Sequence, residues 1–161
     1  MLKPQHSRAL FLDFDGVLHP PEAIEGARPP LTSDQIRMNF PGTFQHLPIL
    51  RDLLHKHDDV AVIVSSSWRL FLSDAELIDL LAPISTWFAG SLSRYKGKDE
   101  AIRDWLAHHQ VNDFAVLDDV AQFFPEGSKS LILCDPRRGL SDPAVQGLLR
   151  KWFQFASHGK N

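Results

Sequence analysis

Acidic residues stand directly after two apolar runs of the chain. Asp13 and Asp15 follow the first run, and Asp118 and Asp119 follow a later one. Four carboxylates in one pocket would repel each other strongly, so a cation is required, and hard oxygen ligands without sulfur favour Mg²⁺. A carboxylate held on such a metal can attack phosphorus, and a second one two residues further along can protonate a leaving oxygen and then deprotonate water. The spacing therefore indicates phosphoryl-transfer chemistry.

Hydroxyl and ammonium groups that suit the same chemistry occur at other positions of the pattern. Ser65 and Ser66 follow another apolar run, and Lys98 immediately precedes the acidic start of an amphipathic stretch. A hydroxyl and an ammonium would neutralise the charge on a transferring phosphoryl group. Gly16 permits the sharp turn by which backbone amides approach that group. Arg69, close to the serines, would either grip a second phosphate or form a salt bridge.

The elements that must position these residues alternate between buried strands and helices. Four apolar runs that end in polar residues are typical of parallel strands covered on both faces; they span residues 9–12, 60–64, 114–117 and 131–134, with a weaker candidate at 84–89. Amphipathic stretches between them predict helices at residues 47–57, 73–81 and 99–109 and from residue 141 onward. We therefore predict an α/β fold with one doubly wound, Rossmann-like, mostly parallel sheet and helices on both faces. Ligands bind outside the carboxyl ends of the strands in such sheets, where the polar residues converge.

One segment, residues 19–48, interrupts this alternation. It holds six of the eleven prolines and shows little periodicity, so we predict a long excursion between the first strand and the first helix. Loops of this length inside a compact domain are usually lids or binding loops. His19, at the start of the segment, follows the first acidic pair and is a candidate pocket residue.

Composition limits the class of protein. A chain of 161 residues that is 43% hydrophobic, with a formal net charge of −3, suits one globular domain, residues 1–161, without a generally basic surface. The one cysteine, Cys134, excludes an intramolecular disulfide framework and a cysteine-based zinc site. The chain shows neither a secretory signal nor an apolar run long enough for a membrane span, so we expect a cytoplasmic protein with no membrane partner.

The motifs resemble those of a known superfamily. Asp13-Phe14-Asp15-Gly16-Val17-Leu18 resembles the DxDGxL signature of the haloacid dehalogenase (HAD) superfamily of phosphatases. The strand that ends in Ser65-Ser66-Ser67 is similar to the second HAD motif, Lys98 to the third, and Asp118-Asp119 to the fourth, in the same order. Three stretches look closest to the small HAD domains of multi-enzyme RNA-repair proteins: Val64-Ser65-Ser66-Ser67-Trp68-Arg69, Ile102-x-x-Trp105-Leu106 and Leu117-Asp118-Asp119.

This resemblance implies a role for each motif residue. Asp13 would be the nucleophile and a metal ligand, and Asp15 the general acid and base with its backbone carbonyl on Mg²⁺. Asp118 would ligate the metal through its side chain, and Asp119 would be a second ligand or hold a water. Lys98 would bind both the nucleophile and the phosphate.

Two assignments and the architecture of the cap stay open at this point. The substrate-binding hydroxyl belongs to Ser65 or Ser66. The lysine of the third motif is Lys98 or Lys96. Lys98 is preferred because the positive end of the helix that follows it would reinforce phosphate binding there. Segment 19–48 is too short for a full HAD cap domain, so it would be a flap or minimal cap. By family analogy, the open site suits a large substrate or a cap supplied by a second subunit, and the oligomeric state is left open.

The function that follows is a Mg²⁺-dependent phosphomonoester hydrolase that acts through a phospho-Asp13 intermediate. The resemblance to RNA-repair domains favours nucleotide or polynucleotide ends as substrate. A response-regulator receiver uses similar groups, but there the acidic pair comes first, whereas here it comes last. The remaining alternative is a catalytically idle module that binds a phosphate or a partner. The presence of Asp15 disfavours this alternative, because a binding module needs no acid at that spacing.

Overall fold

Five parallel strands form one open sheet at the centre of the protein. A computed structural model describes the backbone of residues 2–158 and the side chains through residue 155, so the ends of the predicted domain lie outside the described residues. The sheet order is β3-β2-β1-β4-β5, and every neighbouring pair is parallel. The strands are β1 Arg8–Leu12, β2 Val60–Val64, β3 Phe88–Ser91, β4 Asp113–Asp118 and β5 Leu131–Leu133. The predicted doubly wound α/β fold is confirmed.

Helices cover both faces of the sheet. The α-helices in the described part of the chain are α1 Ser33–Asn39, α2 Leu47–Leu54, α3 Asp74–Leu80, α4 Lys98–His108 and α5 Pro143–His158. Alternate residues of β1 point to opposite faces, so Leu10 packs into the core with α2, α3 and α5, whereas Phe11 packs into the core with α4. Among the residues described, no helix has both the length and the apolar character that crossing a membrane requires.

The weak strand candidate at 84–89 is wrong in its position. Residues Ala82–Ile84 form a 3₁₀ helix that starts with Pro83 in its first turn, and two further turn bonds follow it, from Trp87 N–H to Ile84 O and from Phe88 N–H to Ser85 O. Because these backbone groups are engaged locally, the strand begins only at Phe88. Its apolar residues alone do not reveal that boundary.

Segment 19–48 contains more regular structure than its prolines indicate. It holds a 3₁₀ helix, Pro21–Ile24, and helix α1, which begins with a capping box in which Thr32 and Gln35 satisfy each other's backbone N–H groups. The N–H of Ser33 donates to Glu76 of α3 at 3.1 Å, and the start of α1 is thereby fixed to a neighbouring helix. Part of the segment is therefore packed against the rest of the fold.

Candidate active site

The register of the three central strands brings their carboxyl ends to one place. Leu12, the last residue of β1, pairs with Val64 of β2 and with Leu117 of β4. One residue further, the N–H of Asp13 donates to Leu117 O at 3.1 Å, and the N–H of Ser65 donates to Leu12 O at 2.9 Å. Asp13 therefore lies between the residues that end the two neighbouring strands, as expected for a parallel sheet.

Three carboxylates and one ammonium meet at this edge. Carboxylate oxygens of Asp13, Asp118 and Asp119 lie within 4.8 Å of one another. Lys98, the first residue of α4, places its Nζ 2.6 Å from Asp118 Oδ2 and 3.1 Å from Asp13 Oδ1. Asp118 is fully buried, and its other oxygen accepts the N–H of Val120 at 3.0 Å. The structure thus brings four of the predicted site residues into direct contact.

The cluster carries more negative charge than its surroundings neutralise. Burial raises the pKa of Asp13 to about 8, and the neighbouring Asp118 and Asp119 act in the same direction against the opposing influence of Lys98. Burial alone would lower the pKa of Lys98, but the carboxylates of Asp13 and Asp118 raise it overall, so this side chain is an ammonium at neutral pH. Three hard oxygen donors and one ammonium leave uncompensated charge, and this donor set fits Mg²⁺.

Gly16 gives Asp119 access to the cluster. A Cβ built on Gly16 would overlap the carboxylate of Asp119, and the backbone of Gly16 has φ +78°, a conformation that residues with side chains rarely adopt. The glycine of the first motif therefore serves two purposes, a turn after Asp15 and space for a carboxylate from the loop after β4.

Asp15 lies at the same edge but outside the carboxylate group. Its Oδ1 is 2.8 Å from His19 Nε2, and its Oδ2 accepts the indole N–H of Trp68 at 3.1 Å. The expectation that His19 lines the pocket is wrong, because its side chain is fully buried behind Asp15. Trp68 is itself buried and contacts the site through its indole N–H. A backbone carbonyl of Asp15 on the metal stays a prediction.

The two candidate serines have different environments. The hydroxyl of Ser66 accepts the N–H of Trp68 at 3.2 Å and caps the 3₁₀ helix Ser67–Leu70. The hydroxyl of Ser65 is fully buried and has no hydrogen-bond partner among the residues described. Ser65 also directly follows β2, beside Asp13. Neither Ser65 nor Ser66 lines the pocket over the carboxylates, whereas the next residue, Ser67, does.

The ammonium groups of the two candidate lysines also have different partners. Lys96 lines the same pocket, but its ammonium pairs with Asp104 of α4 at 3.2 Å. Lys98 contacts two members of that cluster. Lys98 therefore suits the role of the third-motif lysine, because its ammonium can reach Asp13 and a phosphate on Asp13.

Arg69 is engaged by backbone carbonyls. Its guanidinium donates to Ser65 O at 2.8 Å, Ser66 O at 3.1 Å, Lys96 O at 3.0 Å and Ser93 O at 3.2 Å. The side chain lies in the wall of the pocket, but these bonds tie the end of β2 to the segment before Lys98. Contact with a phosphate stays a prediction for Arg69, whereas its part in holding this segment is evident.

A pocket of about 560 Å³ opens over the carboxylates. Besides Asp13, Asp15 and Lys98, its lining includes residues that the sequence did not single out: Leu70, Arg94, Tyr95 and Phe123. Tyr95 is 90% exposed, and the ring centroid of Phe123 lies 5.2 Å from the ammonium of Lys98. The only sequence signal was the position of Arg94 and Tyr95 in a short polar stretch just before the third motif. The mouth of the pocket thus presents a cation and aromatic surfaces beside the acidic centre.

Comparison with known proteins gives one family. A family described as the HAD domain in Swiss Army Knife RNA repair proteins matches residues 9–145 of the chain. No curated protein and no solved structure matches. The matched range contains every predicted site residue.

Proposed function

Because the chain belongs to the family of HAD domains found in Swiss Army Knife RNA repair proteins, we propose that it is a Mg²⁺-dependent phosphomonoester hydrolase that acts through a phospho-Asp13 intermediate. The family membership agrees with the resemblance of the four motifs. The observation that carries the proposal is the contact of Lys98 with both Asp13 and Asp118 beside the carboxylate of Asp119. An ammonium and a metal-binding carboxylate group around one buried aspartate are what attack on a phosphate dianion requires.

The metal would be held by the side chains of Asp13, Asp118 and Asp119. When bound, Mg²⁺ would supply positive charge that offsets repulsion between the Asp13 carboxylate and the phosphate oxygens. Asp119 reaches this position because Gly16 leaves room for it. The raised pKa of Asp13 reflects the same need, since burial among carboxylates without a compensating cation favours its protonated form.

In the first half of the reaction, a carboxylate oxygen of Asp13 attacks phosphorus, and the bond from phosphorus to the leaving oxygen breaks. Asp15 donates its proton to that oxygen, so the product leaves as an alcohol. Lys98 and the Ser65 hydroxyl bind the oxygens of the transferring phosphoryl group. Ser65 suits this task because its buried hydroxyl has no other partner among the described residues.

In the second half, the deprotonated Asp15 accepts a proton from water, which attacks the phosphorus of the aspartyl-phosphate. The bond between phosphorus and the Asp13 oxygen breaks, and inorganic phosphate and free Asp13 are formed. Lys98 remains beside Asp13 in both halves and stabilises the carboxylate as it is released.

The substrate that we propose is a phosphate at the end of a nucleotide or polynucleotide. The family occurs in RNA repair proteins, and the mouth of the pocket supports this choice through Arg94 and Tyr95. Arg94 has no ion-pair partner among the residues described and is placed to hold a neighbouring phosphate. Tyr95 exposes an aromatic face on which a base can stack.

A panel of phosphate esters tests this function. With MgCl₂, the protein should hydrolyse oligonucleotide ends or mononucleotides faster than sugar phosphates or phosphopeptides. Arg94→Gln and Tyr95→Ala should raise the KM for oligonucleotides and leave the KM for a small aryl phosphate unchanged. Turnover of a sugar phosphate with refusal of all nucleotides would overturn the substrate class. Binding of phosphate and Mg²⁺ without turnover of any ester would instead favour the idle binding module.

A further inference from the structure

A chain of hydrogen bonds leads from the long segment 19–48 to the carboxylate of Asp15. The backbone N–H of Phe44 donates to Nδ1 of His19 at 3.2 Å, and Nε2 of His19 lies 2.8 Å from Asp15 Oδ1. Because Nδ1 accepts a hydrogen bond, the proton of a neutral imidazole is on Nε2, and Nε2–H donates to Asp15. The Phe44 amide thus sets the tautomer that Asp15 needs.

The surroundings of His19 hold the imidazole in one orientation. Its side chain is fully buried, and its ring centroid lies 5.5 Å from those of both Phe44 and Trp68. Trp68 in turn donates its indole N–H to Asp15 Oδ2 at 3.1 Å. Both oxygens of Asp15 therefore have a buried donor, and its carboxylate plane is fixed from two sides.

The backbone of Phe44 has an unusual conformation at this contact. Its φ is +60°, in the left-handed region that bulky residues rarely occupy. An edge-to-face contact with Phe14 at 5.1 Å between centroids holds the Phe44 ring, and the N–H of His46 donates to Leu18 O at 2.8 Å. These contacts fasten the end of the segment beside the first motif and present the Phe44 amide to His19.

We propose that His19 is a positioning residue for the general acid and base Asp15. The Nε2–H of His19 holds Oδ1 and the indole N–H of Trp68 holds Oδ2, so the carboxyl group of Asp15 keeps one orientation toward the leaving oxygen. One purpose of segment 19–48 is then to supply the amide of Phe44, which keeps His19 a donor toward Asp15. This inference rests on the proposed hydrolase function.

Two phosphate esters with different leaving groups distinguish a loss of proton transfer from a loss of folding. p-Nitrophenyl phosphate releases a stable anion that needs no proton, whereas phenyl phosphate releases a more basic oxygen that does. With MgCl₂, His19→Phe should lower kcat/KM for phenyl phosphate by roughly tenfold or more and leave that for p-nitrophenyl phosphate within about threefold, with KM little changed. His19→Gln, whose amide can still donate toward Asp15, should recover part of the loss.

Equal losses on both esters, or no loss on either, would overturn the positioning role while the hydrolase function stands. Failure of the unsubstituted protein to hydrolyse either ester would overturn the proposed function and this role with it. A second measurement covers the case in which His19→Phe does not fold. Long-range ¹H–¹⁵N correlation spectra of the unsubstituted protein should show His19 protonated at Nε2 and bare at Nδ1, and the opposite tautomer would contradict the proposal.

Discussion

The carboxylate of Asp119 fills the space that a side chain on Gly16 would occupy. The two residues come from the loops after β1 and β4, and their contact is possible only because the strands end side by side. A DxDG sequence is therefore more than a turn in this protein, since the missing side chain at its fourth position gives a carboxylate from another motif its place in the cluster.

Gly16→Ala should reduce Mg²⁺ affinity and hydrolysis together, because the added methyl group displaces Asp119. The matched control is Gly127→Ala, since Gly127 has a nearly identical φ of +77° but nothing within 4 Å of its Cβ position. Both variants carry a backbone cost of about 1 kcal/mol. Calorimetric titration with MgCl₂ distinguishes them, and equal affinities in the two variants would refute the role assigned to Gly16.

Mg²⁺ should stabilise the protein more at alkaline than at acidic pH. The pKa of Asp13 is raised by burial from 3.8 to about 8, so this group contributes stability that is fully present below its unfolded pKa and is lost as pH rises through its folded pKa. Metal binding requires the carboxylate form and offsets that loss. The rise in Tm on adding MgCl₂ to chelator-treated protein should be greater at about pH 9 than at about pH 6. In Asp13→Asn the difference should shrink, and equal shifts at both pH values in the unsubstituted protein would contradict the expectation.

Lys98→Met should abolish most of the activity, and Lys96→Met should not. The first substitution removes the ammonium that contacts Asp13 and Asp118, whereas the second breaks a surface pair with Asp104. We expect roughly a hundredfold or greater fall in kcat/KM for Lys98→Met and a change within about threefold for Lys96→Met on p-nitrophenyl phosphate. Comparable losses in the two variants would show that Lys98 has no special part in the reaction.

Substitution of Ser65 should affect mainly activity, and substitution of Ser66 mainly stability. Ser65→Ala removes a buried hydroxyl without a partner in the described part of the chain, so stability should change little while turnover falls by roughly tenfold. Ser66→Ala removes the cap of the 3₁₀ helix Ser67–Leu70 and should cost about 1 kcal/mol. Urea denaturation and steady-state kinetics measure both effects. A stability loss confined to Ser65→Ala would reverse the assignment.

The ends of the strands were the most predictable part of the site. Residues that follow a buried apolar run must leave the sheet at its carboxyl edge, so the convergence of Asp13, Ser65 and Asp118 follows from hydrophobic pattern and parallel topology. The family resemblance then assigned roles to them. The strand near residue 88 was harder to place because turn bonds around Trp87 occupy the backbone before it.

Contacts between distant segments could not be predicted in this way. The sequence cannot show that His19 points inward to Asp15, since its Nδ1 partner, Phe44, lies 25 residues further along the chain. Arg69 is a similar case, because an arginine beside serines suits a phosphate equally well, and only the tertiary structure shows its bonds to four carbonyls. Helix α1 escaped prediction because prolines around it obscured the Thr32–Gln35 capping box.

The most direct test of the phospho-Asp13 mechanism is the rate of p-nitrophenyl phosphate hydrolysis by Asp13→Asn, with MgCl₂ present. The substitution keeps the size of the side chain and removes its nucleophilic carboxylate, so kcat should fall by roughly a thousandfold or more. Asp99→Asn, which changes an acidic residue in the first turn of α4 outside the carboxylate cluster, should keep activity near that of the unsubstituted protein. Hydrolysis by a folded Asp13→Asn variant at an undiminished rate would contradict the mechanism.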